Sequence, residues 1–137
     1  MEREIVQPAG FGSEIGPYSH AFSVDTKSFS RLVFISGQVA TDEQGQLVGA
    51  GDMRAQFARV YANLAKVVEA AGGTMASIVS LRTFLTRADD LPVFNECRRE
   101  QYPRIFPDGV YPPNTLLIIN RLVWPDLLLE IEAVAAI

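Results

Sequence analysis

The sequence "LLLEIEAVAA" (residues 127–136) is apolar at every position except Glu130 and Glu132. A run of branched aliphatics with no Gly or Pro predicts a strand. Side chains alternate along a strand, so the two acids share one face with Leu128 and Val134. An isolated carboxylate in apolar surroundings costs on the order of several kcal/mol or is driven to its neutral form. Each acid therefore needs solvent, a cation, donors or a chemical role. For Glu132 the simplest account is an ion pair with Arg82, Arg104 or Arg121 from neighbouring segments. Glu130 lies deeper in the apolar run.

Working back from this strand, "TLLIINRL" (115–122) is a second apolar strand, and the intervening "VWPD" predicts an antiparallel hairpin between the two. "GDMRAQFARVYANLAKVVEAAGG" (51–73) carries the clearest helical period, with Met53, Phe57, Val60, Leu64, Val67, Val68 and Ala71 on one face. Asp52 is placed to cap its start and Gly72-Gly73 to end it. "DDLPVFNECRREQYPRIF" (89–106) predicts a second helix, capped by Asp89 or Asp90, with Pro92 in its first turn and Pro103 ending or kinking it. Between the helices, "SIVSLRTFLTR" (77–87) is a strand with apolar residues on both parities. "SHAFSVD" (19–25) and "RLVFISGQVA" (31–40) are two strands joined by the polar turn "TKSFS", and the first 15 residues form an irregular arm with a short edge strand. "DEQGQ" is a turn followed by a short extended segment.

The pattern defines an α+β domain spanning residues 1–137, with two helices on one side of a mixed sheet of about six strands. Two helices cover only one face of that sheet. The last two strands want cover on both, so a second subunit is expected on the other face.

The chain has 137 residues, 48% hydrophobic and 20% charged, enough for one domain with its own core. Its net charge of −4 and scattered basic residues argue against nucleic-acid binding. The one adjacent basic pair, Arg98-Arg99, reads as part of a solvated helix face. One cysteine, Cys97, excludes an internal disulfide and suits a reducing compartment; its apolar context makes it a core residue rather than a nucleophile. No signal-peptide pattern and no run of about 18 apolar residues is present, so a cytoplasmic location and no membrane association are expected.

Three stretches offer chemistry. In "IGPYSHA" (15–21), the Gly16-Pro17 turn presents Tyr18, either as a phenol lining a cleft or as a rim aromatic packing the arm. In "FISGQ" (34–38), Ser36 and Gly37 put a small hydroxyl and bare backbone at a strand end, which is equally the signature of a bulge. A Ser36 nucleophile would have only His20 as a base and lacks a strained elbow. The third stretch is the pair Glu130 and Glu132. No His-rich or Asp-rich partner has ligand spacing, and no phosphate-binding loop or CxxC occurs, so neither metal nor organic cofactor is expected.

Together "IGPYSHA", "LVFISGQVA", "VVEAAGG", "FNECRREQYPRIFP", a Pro-rich turn and the closing "LEIEAVA" resemble the RidA/YjgF/L-PSP family over nearly the whole chain from Ile15. The resemblance implies a chorismate-mutase-like fold assembled as a homotrimeric barrel, with small-molecule clefts between subunits. It implies cofactor-free hydrolysis of reactive enamines and imines. In this family Tyr18 corresponds to a cleft tyrosine, Ser36 and Gly37 to residues beside the ligand, and Glu130 to the glutamate associated with the attacking water. The deaminases carry arginine after the Pro-containing turn; here "YPPNTL" places Asn114 there. An amide keeps two N–H donors but loses the charge that grips a carboxylate. Arg82, Arg104 and Arg121 are the candidates to restore it. The resemblance thus leads to an enamine or imine deaminase with altered substrate range, with a non-catalytic ligand-binding or regulatory trimer as the alternative and L-PSP-type ribonuclease activity as a weaker one.

Overall fold

The computed structural model describes all 137 residues. The elements in chain order are β1 (Arg3–Ile5), β2 (Phe22–Val24), β3 (Leu32–Gln38), α1 (Met53–Ala70), β4 (Ile78–Leu85), α2 (Leu91–Ile105), β5 (Asn114–Ile118) and β6 (Leu129–Ala136). Short 3-10 turns precede β4 and α2.

The six strands divide into two sheets. β1 and β2 form a separate two-stranded sheet, and the main sheet has the order β3-β6-β4-β5. This corrects two sequence expectations. β2 does not pair with β3 across "TKSFS"; it pairs with the N-terminal arm, Glu4 opposite Ser23. The carbonyl of Ile137 instead receives the amides of Ser30 and Arg31, which brings β3 directly against β6. Nor do β5 and β6 form a hairpin. β5 runs parallel to β4 and lies at the edge, while β6 inserts antiparallel between β3 and β4. A parallel pair requires a crossover, and α2 supplies it. Residues 119–128 then give the chain room to pass β4. β6 gains strand neighbours on both sides, which suits the most uniformly apolar strand.

α1 begins where Asp52 accepts a hydrogen bond from the Ala55 amide at 3.1 Å. It ends where Gly72 adopts φ +92°, with Gly72 and Gly73 donating back to Glu69 and Val68. That geometry closes the last turn and needs a residue tolerant of positive φ. Phe57, Val60, Leu64 and Val68 on its inner face are wholly buried, each contributing roughly 1.5–3 kcal/mol by transfer from water. α2 has Pro92 in its first turn as expected, and Pro103 is tolerated because the helix ends two residues later at Ile105. Asp90 occupies the N-cap position but gives its carboxylate to Arg87 at 2.8 and 2.9 Å instead of capping. Cys97 is buried, and burial pushes its thiol pKa up, away from nucleophilic use.

Both helices lie on one face of the main sheet. The other face exposes Leu32, Phe34 and Leu117; Phe34 is 77% exposed.

Candidate functional site

Along β6, Leu129, Ile131, Ala133 and Ala135 turn into the helix-covered core, and Glu130, Glu132 and Val134 alternate onto the open face. Register places Arg82 opposite Glu132, and the two form an ion pair at 2.6 Å. Of the three arginines considered for Glu132, Arg82 is the partner. Glu130 lies opposite Phe84, and its carboxylate makes neither a hydrogen bond nor an ion pair within the chain. On its other side β3 breaks register between Ile35 and Gln38, so Gly37 sits in a bulge. A Cβ on Gly37 would overlap the Glu130 carboxylate. Burial, and secondarily the charge of Glu132, raises the Glu130 pKa above its ordinary value. A carboxyl so placed exchanges protons closer to neutrality than a solvated one.

Ser36 also faces the open side. It lines a cavity of about 330 Å³ with Phe34, Arg82, Thr115 and Glu132. His20 is engaged elsewhere, bonding the Gly12 carbonyl at 2.9 Å and packing edge-on against Phe11 and Tyr18. It offers Ser36 no base.

Tyr18 and Asn114 meet in a different cleft, also about 330 Å³, between the 15–18 turn, the start of β5 and α2. The turn is anchored by the buried Ser19 hydroxyl, which donates to the Tyr111 carbonyl at 2.6 Å. Asn114 is oriented by the buried Thr83 hydroxyl, which donates to its Oδ1 at 2.9 Å. That bond leaves the amide nitrogen, with two hydrogens, as the free end. Asn95 and Arg98 complete the polar wall.

The structure therefore brings Glu130 and Gly37 together, and Tyr18 and Asn114 together, but sets the two groups apart. Asn114 and Leu116 lie opposite Leu81 and Thr83, on the helix side of the sheet. Glu130 and Ser36 lie on the open side. One chain does not present all five residues to one small molecule.

Arg98 was not legible as a site residue. Beside Arg99 it reads as a solvated cation, yet it is only 7% exposed while Arg99 lies on the surface. Its spacing from Leu91, Phe94 and Asn95 is the signal that places it on the inner face. The arginines expected to restore charge near Asn114 do not line this cleft: Arg82 is held by Glu132, and Arg121 donates to the carbonyls of Leu122 and Val123.

A two-helix α+β fold of this topology defines a class of small proteins, and the family model described as Endoribonuclease L-PSP matches residues 12–137 of this chain. The chain belongs to this family, also known as the Rid or RidA/YjgF family. The Yersinia pestis protein YyfB, a Rid-family protein of unknown function, is 32% identical over all of both chains, with a TM-score of 0.85. RidA from an Antarctic Psychrobacter is 28% identical, covering 98% of this chain and 99% of its own, with a TM-score of 0.63. The Escherichia coli YjgF gene product is 27% identical over 90% of each chain, with a TM-score of 0.68. No helix is long and apolar enough to cross a membrane.

Proposed function

We propose that the protein hydrolyses a small enamine or imine to a carbonyl compound and ammonia, at clefts shared between subunits of a homotrimer. The observation that carries this reading is Glu130: a half-buried carboxyl with a raised pKa and no partner in its own chain, on the uncovered sheet face. The exposed Leu32, Phe34 and Leu117 on the same face favour burial of that face against further copies. Assembly would set the Glu130 side of one protomer against the Tyr18–Asn114 cleft of the next.

In such a site Tyr18 and the Asn114 amide orient the substrate, the backbone beside Gly37 and the Ser36 hydroxyl border it, and Glu130 holds a water. The water oxygen bonds to the imine carbon as Glu130 takes one of its protons. That proton passes to nitrogen, giving a carbinolamine; Glu130 then carries the hydroxyl proton to the amine nitrogen, the C=O bond forms as the C–N bond breaks, and ammonia leaves. One imine and one water thus become one carbonyl compound and one ammonia, with no change of oxidation state. An enamine enters by first taking a proton on carbon and giving one up from nitrogen, which makes it the imine. A carboxyl whose pKa is raised toward neutrality suits both the taking and the giving of the proton.

Ammonia release from 2-aminoacrylate and related enamines, by wild type and by Glu130→Ala, tests the reading. We expect the variant to fall to the uncatalysed rate; equal rates remove the role given to Glu130. The second reading, a ligand-binding trimer without turnover, draws on Asn114 standing where the deaminases carry arginine. It is favoured if small 2-oxo acids raise the melting temperature while no enamine is consumed. The net charge of −4 weighs against RNA as the substrate.

A further inference from the structure

Every buried side-chain nitrogen or oxygen in the protein has a hydrogen-bond partner except one, Nε of Arg98. Arg98 is also the only lysine or arginine among the buried residues. The other buried ion, Asp90, is paired with Arg87, but no carboxylate pairs with Arg98. Its guanidinium lies over the Phe94 ring at 5.1 Å, and Nη2 donates to Asn95 Oδ1 at 2.8 Å. The Asn95 amide oxygen, the Phe94 ring face and the neighbouring Tyr102 phenol are all neutral and do not neutralise a buried cation, and leaving such a charge without a counter-ion is strongly unfavourable.

The unmatched charge is not enclosed by the core. Arg98 lines the same cleft as Tyr18 and Asn114. The 15–18 turn closes over it at Gly16, where a Cβ would press on Nη2 at 3.2 Å. The bare glycine backbone thus allows the turn to come down onto the guanidinium. The remaining wall mixes Leu91 and Leu116 with the Asn114 amide. A buried cation with free donor capacity, neighbouring N–H donors and a small apolar wall make a receptor for a planar anion bearing a short hydrocarbon group.

We propose that Arg98, supplied by α2, is the carboxylate-binding group of this cleft, so that the ligand is a small carboxylic acid even though Asn114 is uncharged. The inference rests on reading the Tyr18–Asn114 cleft as the ligand site. It makes Arg98 the residue that sets specificity for charge.

Calorimetric titration of the intact protein with 2-oxobutanoate and with its neutral analogue 2-oxobutanamide tests it. Wild type is expected to bind the acid at least about tenfold more tightly than the amide. Arg98→Met, which keeps the apolar stem without the guanidinium, should abolish that preference, and Arg98→Lys should retain part of it. Gly16→Ala, which leaves the helix untouched and displaces the guanidinium, should weaken acid binding more than amide binding and covers the case in which Arg98→Met fails to fold. Equal affinity of wild type for acid and amide, no acid binding at all, or a preference that survives in a folded Arg98→Met protein overturns the proposal. A purely structural Arg98 would lower stability without changing the acid-to-amide ratio. Because binding is read without turnover, acid binding through Arg98 with no ammonia release refutes the hydrolase reading alone.

Discussion

The carboxylate of Glu130 occupies the space that a side chain on Gly37 would need. The bulge in β3 and the absence of a Cβ there let an acid from the central strand lie against backbone rather than project into solvent. This packing fixes the acid's position and contributes to the desolvation that raises its pKa.

Gly37→Ala should therefore act through Glu130. The obstructing atoms belong to a flexible side chain, so the fold is expected to survive while the carboxylate swings away. Ammonia release should fall at least about tenfold, since misplacing a catalytic group by about 1 Å has effects of that size. Rates and melting curves measured together decide: unchanged turnover would show that Glu130 has no fixed place in the reaction.

The pH dependence of stability has a definite sign. A raised folded-state pKa means that the native protein holds the Glu130 proton more tightly than the unfolded chain does. Charging Glu130 then opposes folding. The penalty is absent below the ordinary carboxylate value of 4.5, grows as pH rises past it, and is complete above the raised folded value. Glu130→Gln should raise the melting temperature at pH 7, by about 1–2 °C after solvent screening, and leave it unchanged near pH 4. Lower stability of the variant at pH 7 would contradict this.

Gln56 ties α1 to the entrance of β6. Its wholly buried amide donates to the carbonyls of Gly49 at 3.1 Å and Asp126 at 2.9 Å and accepts from the Leu128 amide at 2.8 Å. Gln56→Leu leaves the Asp126 carbonyl and the Leu128 amide without partners, while the Gly49 carbonyl keeps the Asp52 amide at 2.9 Å. We expect a loss of about 2–4 kcal/mol in denaturant unfolding. A loss below about 0.5 kcal/mol would show that water replaces the amide.

Thr83 acts through Asn114. Thr83→Val keeps the shape of the core and removes the hydroxyl that bonds Asn114 Oδ1. Stability should fall by about 1 kcal/mol. The freed amide can then turn its oxygen toward the ligand, so affinity for 2-oxo acids should drop several-fold more than affinity for an apolar analogue of the same size. Equal losses would assign Thr83 to the core alone.

Much of this was legible in the chain. Asp52, Gly72-Gly73 and Pro92 mark helix ends through local chemistry, and the period of α1 announces its buried face. The alternation of β6 places both acids on one face, and Arg82 was among the partners anticipated for Glu132. Strand order was not legible, because residues 119–128 resemble a tight hairpin connection yet carry the chain past β4, and the choice is made by distant pairing. The separation of Asn114 from Glu130 depends on the parallel register of β5 on β4, which no local signal encodes. Arg98 was obscured by its neighbour: an adjacent arginine suggests solvent, whereas only the packed helix reveals which of the two points inward.

In the proposed assembly each site draws Glu130 from one protomer and the Tyr18–Asn114 cleft from another. This sharing is tested most directly by co-expressing Glu130→Ala with the double variant Tyr18→Ala/Asn114→Ala, each inactive alone, and measuring ammonia release from the mixed oligomers. Sharing between neighbours predicts recovery of about a quarter of wild-type activity, the statistical share of junctions with both halves intact. Mixed oligomers as inactive as their parents would place the whole site within one chain and rule out a site shared between protomers.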